Sequence, residues 1–318
     1  MTEQPREPGL YAGIPEADYH ASHTHTSKSR LDRIAPEQGG SPAHYRAALE
    51  HPKEPTAAMN LGTALHCALL EPTRYAEQYV DTGVDDRRAK AFKEAKEAVG
   101  DRALKSSEAQ WVAGMQAAVW ERDDAHASAA RRLLSTEGET ELSAYAADPA
   151  TGVAVRCRFD LLAGVSLASG TPEQTAERVI AADVKKTRDA TPRGFARSVW
   201  QYRYHVQAAL YSDIYYWITG QPLAGYTIIA IEEAPPHAVQ VFAISDEDMQ
   251  TGRELYQRDL SLLAQCLERD EWPLIPHWLD EGWPSAYAAT PSVLSLEPWM
   301  RERTAGFLVN NETDYEQE

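Results

Sequence analysis

Asp183 and Lys185 stand one residue apart in the short apolar stretch RVIAADVK, residues 178–185. Alternate side chains of a strand share a face, so this carboxylate and ammonium would sit side by side with Val184 opposite. The preceding run VAVRCRFDLL, residues 153–162, alternates in the same way. Val153, Val155, Cys157, Phe159 and Leu161 form its apolar face, and Arg156, Arg158 and Asp160 the other. If the two strands are neighbours, Asp160, Asp183 and Lys185 converge. Two carboxylates are hard oxygen donors suited to Mg²⁺. A lysine beside them can orient or deprotonate an attacking water, or offset charge on a phosphate. The arginines can bind phosphate oxygens. A D-x-K triplet also arises by chance as an ordinary ion pair. Its place at the end of an apolar strand, following a strand that carries Asp160, sets this one apart.

Further groups can join that set. Glu139 and Glu141 share a face of ETELSAYA, and either can supply a third carboxylate; a solvated edge strand is the alternative. His66 lies in LGTALHCALLEP one helical turn after Gly62, which leaves open space beside the imidazole. Trp200, Tyr204, Gln207, Tyr211 and Tyr215 fall on one stripe of a helix. Aromatic stripes usually belong to a core, but a buried glutamine amide needs partners and can hold a phosphate or a metal-bound water.

These residues depend on elements that the chain's periodicity predicts. Leu61, Ala64, Leu65, Ala68 and Leu69 repeat at helical spacing, and Glu71-Pro72 ends the run. A polar, basic helix is expected over 87–99, and another from a Ser106 or Ser107 cap through Trp111, Met115 and Val119. ETELSAYA, the turn DPATG and VAVRCRFDLL form a hairpin. A loop is expected over 165–177, a buried strand over 178–185 and one long helix over 192–218. GYTIIAIEE and HAVQVFAIS read as strands, and a helix starts at Ser245 with acidic residues in its first turn. The order is helices, then β-β-β-α-β-β-α, which is a mixed α/β core with a helical N-terminal part. Neither a GxGxxG after a strand nor a Walker A sequence is present, which argues against a nucleotide-binding fold.

The 318 residues are 43% hydrophobic and 25% charged, a globular composition. The net charge of −17 argues against a uniformly basic nucleic-acid coat. It leaves room for two local basic islands. One is Arg87, Arg88, Lys90, Lys93 and Lys96; the other is Lys185, Lys186, Arg188, Arg193, Arg197 and Arg203. Cys67, Cys157 and Cys266 are scattered without a CxxC pair, so a zinc ribbon, an iron–sulfur cluster and a disulfide scaffold are not expected. No long apolar run predicts a membrane span, and MTEQPREPGL lacks the apolar core of a secretory signal, so a cytoplasmic protein is expected.

Taken together, the chain resembles the PD-(D/E)XK nucleases of the RecE type, the exonuclease VIII-like proteins of phages and prophages. More distantly it is similar to the RecB nuclease domain and lambda exonuclease. The segments that carry the resemblance are MNLGTALHCALLEP, RRAKAFKEAKE, ETELSAYAADPATGVAVRCRFD, IAADVKKTRDATPRGFARSVWQYRYHVQAALYSD and ERDEWP. The resemblance implies a PD-(D/E)XK restriction-endonuclease-like core over 57–275. An irregular arm with short helices would precede it over 1–56, and an extension with an acidic mobile tail would follow over 276–318. It implies metal ligation by His66, Glu141, Asp160, Asp183 and the Val184 carbonyl. The catalytic set would be Glu141, Asp160, Asp183, Lys185, Gln207 and Tyr211. The chain departs from the family's pattern at Lys186, where Thr or Ser is usual, and at Phe159, where Pro or Ile is usual. DNA contacts are expected from Arg87, Arg88, Lys90, Lys93, Arg156, Arg158, Lys186 and Arg188.

The expected activity is a Mg²⁺-dependent exodeoxyribonuclease, with Mn²⁺ as a substitute, acting 5′→3′ on double-stranded DNA ends. It would leave 3′ single strands for an annealing recombinase. The family implies a ring-like homo-oligomer in the cytoplasm of a bacterial host. One rival is an endonuclease or single-strand exonuclease on the same core, and a closed circular duplex, spared only by the end-dependent enzyme, separates the two. The other is a catalytically silent DNA-binding phage accessory protein, against which the intact acidic set argues.

Overall fold

The computed structural model describes residues 6–52, 54–167, 176–279 and 284–287. The chain opens with β1 (Gly9–Tyr11), α1 (Glu16–Ala21), α2 (Lys28–Leu31) and α3 (Pro42–Glu50). Next come α4 (Ala57–Leu70), α5 (Pro72–Gln78), β2 (Val80–Asp81), α6 (Lys90–Val99), β3 (Ala103–Leu104), α7 (Ser106–Trp120) and α8 (Ala125–Leu134). Three strands follow: β4 (Gly138–Ala147), β5 (Ala154–Leu167) and β6 (Ala176–Thr187). Helices α9 (Pro192–Gln201) and α10 (Tyr204–Thr219) lead to β7 (Gly225–Glu232), β8 (Val239–Ala243) and α11 (Asp246–Arg269). Most of the expected 276–318 extension, including its acidic tail, lies outside the described residues.

Six strands form one mixed sheet in the order β1-β4-β5-β6-β7-β8. The β6–β7 pair is parallel and the other pairs are antiparallel. A parallel pair needs a long crossover, which α9 and α10 supply. The sheet is buried from both sides. On one side Phe159, Leu162, Ala181, Ile228 and Ala230 pack with Val206, Leu210 and Ile214 of α10 and with Leu260 and Leu263 of α11. On the other, Val184, Ile229 and Ile231 pack with Leu65 and Leu69 of α4, Met115 of α7 and Ala130 of α8. The expected mixed α/β architecture is therefore present. The N-terminal arm belongs to it: β1 extends the sheet, and Leu31, Ile34 and Tyr45 lie in the main core.

The sheet forks at its centre. The β5–β6 register runs from Leu167↔Ala176 to Leu161↔Ala182 and stops there. Beyond that point β6 continues beside β7 to Thr187↔Glu232, while β5 continues beside β4 to Ala154↔Ala147. Thr26 of the arm occupies the freed edge of β5, donating its N–H to the Ala154 carbonyl (2.9 Å) and accepting from the Arg156 N–H (2.8 Å). The alternation predicted for β5 shifts at the fork. Phe159 faces the main core, but so does Leu162, whereas Leu161 turns to a small cluster with Ala163 and Ala182. Both strands run into the loop expected over 165–177, β5 reaching Leu167 and β6 starting at Ala176, and 168–175 lie outside the described residues.

The single helix expected over 192–218 is two helices. Arg203 adopts a left-handed backbone (φ 53°) and breaks it. Its guanidinium, 1% exposed, meets Asp32 (2.8 Å), Glu37 (3.0 Å) and the equally buried Asp259 (2.6 Å). A left-handed non-glycine residue costs about 1–3 kcal/mol and persists only when its surroundings hold it. Here three acids from two distant segments do so. The break takes Trp200 out of the predicted aromatic stripe and leaves it on the surface, 73% exposed. Removing one partner of a buried ion pair leaves an uncompensated charge and typically costs about 3–5 kcal/mol. Arg203→Ala is therefore expected to lower unfolding free energy by about that amount in urea titration. A loss below about 1 kcal/mol would show that the network does not hold the break.

Candidate active site

The fork leaves both backbone groups of Val184 facing away from β7. Its N–H donates to Asp160 Oδ2 (2.8 Å), and its carbonyl lies 2.7 Å from His66 Nε2. A carbonyl oxygen only accepts, so Nε2 carries a proton and Nδ1 is the nitrogen turned toward Asp160 Oδ2, at 3.5 Å. The Val184 carbonyl, expected as a metal ligand, is in this arrangement the acceptor for His66. Helix α4 delivers His66 because Thr56 caps its start and Leu65 and Leu69 anchor it to the sheet. A side chain added at Gly62, one turn earlier, would meet nothing within 4 Å, so space is open beside the imidazole as expected.

Glu141 faces the same point from β4. It too is left-handed (φ 51°), between the regular pairs Thr140↔Leu161 and Leu142↔Phe159. One ligand atom each from His66, Glu141 and Asp160 lie within 4.8 Å of one another. Glu139 is exposed, and Glu141 is the residue of the two that joins the cluster.

Asp183 and Lys185 form a second group on the other prong. Asp183 is 3% exposed. Its Oδ1 accepts from Gln207 Nε2 (2.6 Å), which also donates to the Tyr226 hydroxyl (3.0 Å). Its Oδ2 lies 2.6 Å from the Lys185 ammonium but accepts no well-aligned hydrogen bond among the described residues. Lys185 also sits over the Tyr204 ring, 4.9 Å from its centre. Tyr211 packs edge-on against Phe159 and Tyr226 and so braces the two residues around Gln207. Tyr226 joins the site from outside the residues the sequence singles out, and Tyr204, a member of the expected aromatic stripe, joins it through Lys185. A tyrosine among the alternating apolar residues of GYTIIAIEE was the only sequence signal for the first.

The electrostatics are those of a site short of positive charge. Burial, reinforced by neighbouring Asp160, pushes the Glu141 carboxyl up to about 7. Burial also raises Asp160, with repulsion from Asp183 adding to it and His66 opposing. Burial alone would lower the Lys185 ammonium, but Asp183 and Asp160 hold it above the usual lysine range. Lys185 is therefore held in its charged form. The crowded carboxyls of Glu141 and Asp160 with the imidazole beside them fit a hard divalent cation. His66, Glu141 and Asp160 would hold it.

The predicted DNA-contacting residues divide. Arg156 is 1% exposed, and its guanidinium lies on the Tyr19 ring at 4.6 Å. Arg158 lies on the same ring at 4.4 Å and donates to Ser143 Oγ (3.0 Å) and the Ile14 carbonyl (2.8 Å). Tyr19 of helix α1 thus packs over this arginine row, and Arg158 also reaches the carboxylate cluster, its Nη1 4.0 Å from Glu141 Oε2. Lys186 pairs with Glu233. The basic helix α6 and the turn before it are offset locally: Arg87 pairs with Glu108, Arg88 with Asp86, Lys90 with Glu94 and Lys96 with Asp101. Lys93 and Arg188 hold no ion pair among the described residues.

Residues 27–275 match the family model described as "PDDEXK-like domain of unknown function (DUF3799)". Among solved structures, the chain is similar to one from Eubacterium rectale described as "Putative exonuclease", with a TM-score of 0.53 and 14% identity. That match covers 93% of this chain and 100% of the other. At this identity the likeness shows the fold alone. A second structure, SSO0001, aligns at a TM-score of 0.28 and 12% identity over 68% of this chain and 81% of its own, too low to carry an argument. No curated protein matches.

The raised carboxyls give metal binding a pH dependence of definite sign. Their folded values exceed their unfolded ones, so the folded protein holds extra protons above the ordinary carboxylate range, Glu141 up to about 7. Stability from these groups falls as pH rises through that window, and a cation that needs the deprotonated pair gains affinity over it. Thermal stabilisation by Mn²⁺ is therefore expected to grow from about pH 5.5 to about pH 8 and to lose most of that growth in Glu141→Gln. An equal Mn²⁺ shift at both pH values would contradict this assignment.

Proposed function

The chain belongs to the PDDEXK-like family DUF3799, and from that premise we propose a metal-dependent deoxyribonuclease that degrades double-stranded DNA from its ends, 5′→3′. The observation that supports the proposal is the fork, with the His66–Glu141–Asp160 group on one side and the Asp183–Lys185 pair next to it. The exonuclease description of the structurally similar protein favours end-dependent cutting. The RecE-type resemblance supports the polarity, a ring-like homo-oligomer, an annealing recombinase that takes the 3′ strand, and a setting in the bacterial cytoplasm. No described helix is long and apolar enough to cross a membrane.

Mg²⁺ or Mn²⁺, when bound, supplies Lewis-acid polarisation of a phosphoryl oxygen. The chain's own groups do the positioning. Lys185 presents a charged ammonium that can orient a water and offset the charge that grows on the phosphate in the transition state. Gln207 bonds Asp183 Oδ1 and also the Tyr226 hydroxyl, which fixes the orientation of that carboxylate.

With Mg²⁺, an end-labelled linear duplex is expected to be digested and a closed circle spared, and EDTA should stop digestion. Cutting of the circle would replace the exonuclease by an endonuclease. Lys185→Ala and Asp183→Asn are each expected to slow digestion about a hundredfold or more while the fold persists in circular dichroism. Near-wild-type rates in both would remove this pair from the chemistry.

A further inference from the structure

Helix α9 has a sharply divided surface. Gly194 and Phe195 are buried, while Arg193, Arg197 and Trp200 recur at i, i+4 and i+7 on the outer face. Arg193, Arg197 and nearby Arg188 are exposed and hold neither an ion pair nor a side-chain hydrogen bond among the described residues. This contrasts with the locally paired α6. Just past the helix, Tyr202 is 52% exposed and stacks on Tyr204, with ring centres 5.6 Å apart and planes 29° from parallel. Tyr204 in turn lies against Lys185 at 4.9 Å. Aromatic rings therefore lead from solvent to the site lysine, near three exposed guanidinium groups that hold no ion pair among the described residues, Arg197 lying in the field of Asp189.

The turn that presents Tyr202 is clamped. Lys28 Nζ donates to the Tyr202 carbonyl, Gln38 Nε2 donates to the Gln201 carbonyl (3.2 Å), and Arg203 is buried among acids. An exposed tryptophan and tyrosine held on a fixed turn are suited to stacking, because little side-chain and loop freedom is lost on contact. On a chain of net charge −17, three exposed arginines without ion pairs among the described residues, beside exposed rings, select a polyanion that also offers flat apolar faces. Nucleobases offer such faces only when they are unpaired.

We propose that the outer face of α9 and the Tyr202 turn form a stacking platform for the unpaired bases of single-stranded nucleic acid, with Arg193 and Arg197 on its phosphates. The platform rests on the nuclease reading for why a strand would be present, but binding to it does not require cleavage.

Fluorescence anisotropy with a labelled oligothymidylate and a blunt hairpin duplex, both in EDTA, tests this without turnover. Trp200→Ala is expected to weaken single-strand binding about tenfold, as lost base stacking does. It should leave the duplex within about twofold of the wild type, and Trp200→Phe should retain most of the single-strand affinity. Arg193→Gln with Arg197→Gln should flatten the salt dependence by roughly 0.7 in log–log slope per lost phosphate contact. Unchanged single-strand affinity in Trp200→Ala, or equal losses for both ligands, would overturn the platform. The two readings fail separately. A protein that cuts no DNA with Mg²⁺ yet loses single-strand binding with Trp200 keeps the platform and loses the nuclease; the opposite pattern keeps the nuclease and loses the platform.

Discussion

Where β5 and β6 part, the N–H and carbonyl of Val184 lose the strand partners that a continuing ladder would supply. A buried backbone group left unpaired costs about as much as a lost hydrogen bond, about 1–3 kcal/mol. The chain meets that need with side chains: Asp160 takes the N–H and His66 the carbonyl. Much of the architecture follows. Helix α4 must bring His66 over the fork, β4 must carry Glu141 to it, and Thr26 must close the edge of β5 that β6 abandons. Residues expected only for chemistry are therefore structural as well. A variant at Asp160 or His66 alters the sheet's hydrogen bonding along with any ligand set, whereas Lys185 and Asp183 leave the Val184 contacts in place.

The fork also concentrates negative charge. Glu141 and Asp160 approach one another with Asp183 close by; Lys185 pairs with Asp183 and Arg158 lies 4.0 Å from Glu141, yet the first two hold their protons above the usual carboxylate range. Such a site is electrostatically unfavourable by itself and is relieved by a cation, which is how a metal site differs from a structural salt bridge. The left-handed backbone of Glu141 points the same way, since strain of this kind gathers at functional positions. Arg203, the second left-handed residue near the site, acts differently. Its buried acid partners fix the α9–α10 break that carries Tyr202 and Tyr204 past Lys185.

Sequence carried the local parts of this picture. The hairpin, the apolar strand with Asp183 and Lys185, and the helix bearing His66 were legible because period-2 and period-3.6 patterns are properties of short segments. The fork was not, because divergence of two strands depends on what fills the gap, and Thr26 lies far away in the chain. For the same reason Arg156 and Arg158 read as phosphate ligands: nothing in their own segment reveals that Tyr19 covers them. The helix break at Arg203 had no proline or glycine to announce it, and its cause is spread over Asp32, Glu37 and Asp259. Choosing Glu141 over Glu139 needed the family resemblance, and the geometry brings Glu141 alone of the two to the cluster.

The central claim is that this fork builds a divalent-cation site from His66, Glu141 and Asp160. Anomalous diffraction from crystals grown with Mn²⁺ tests it most directly, because the peak reports the ion's position without reference to activity. The account predicts a peak within ordinary Mn–ligand bonding distance of Glu141, Asp160 and His66. A strong peak bound elsewhere, with these three side chains left as they stand around Val184, would contradict it.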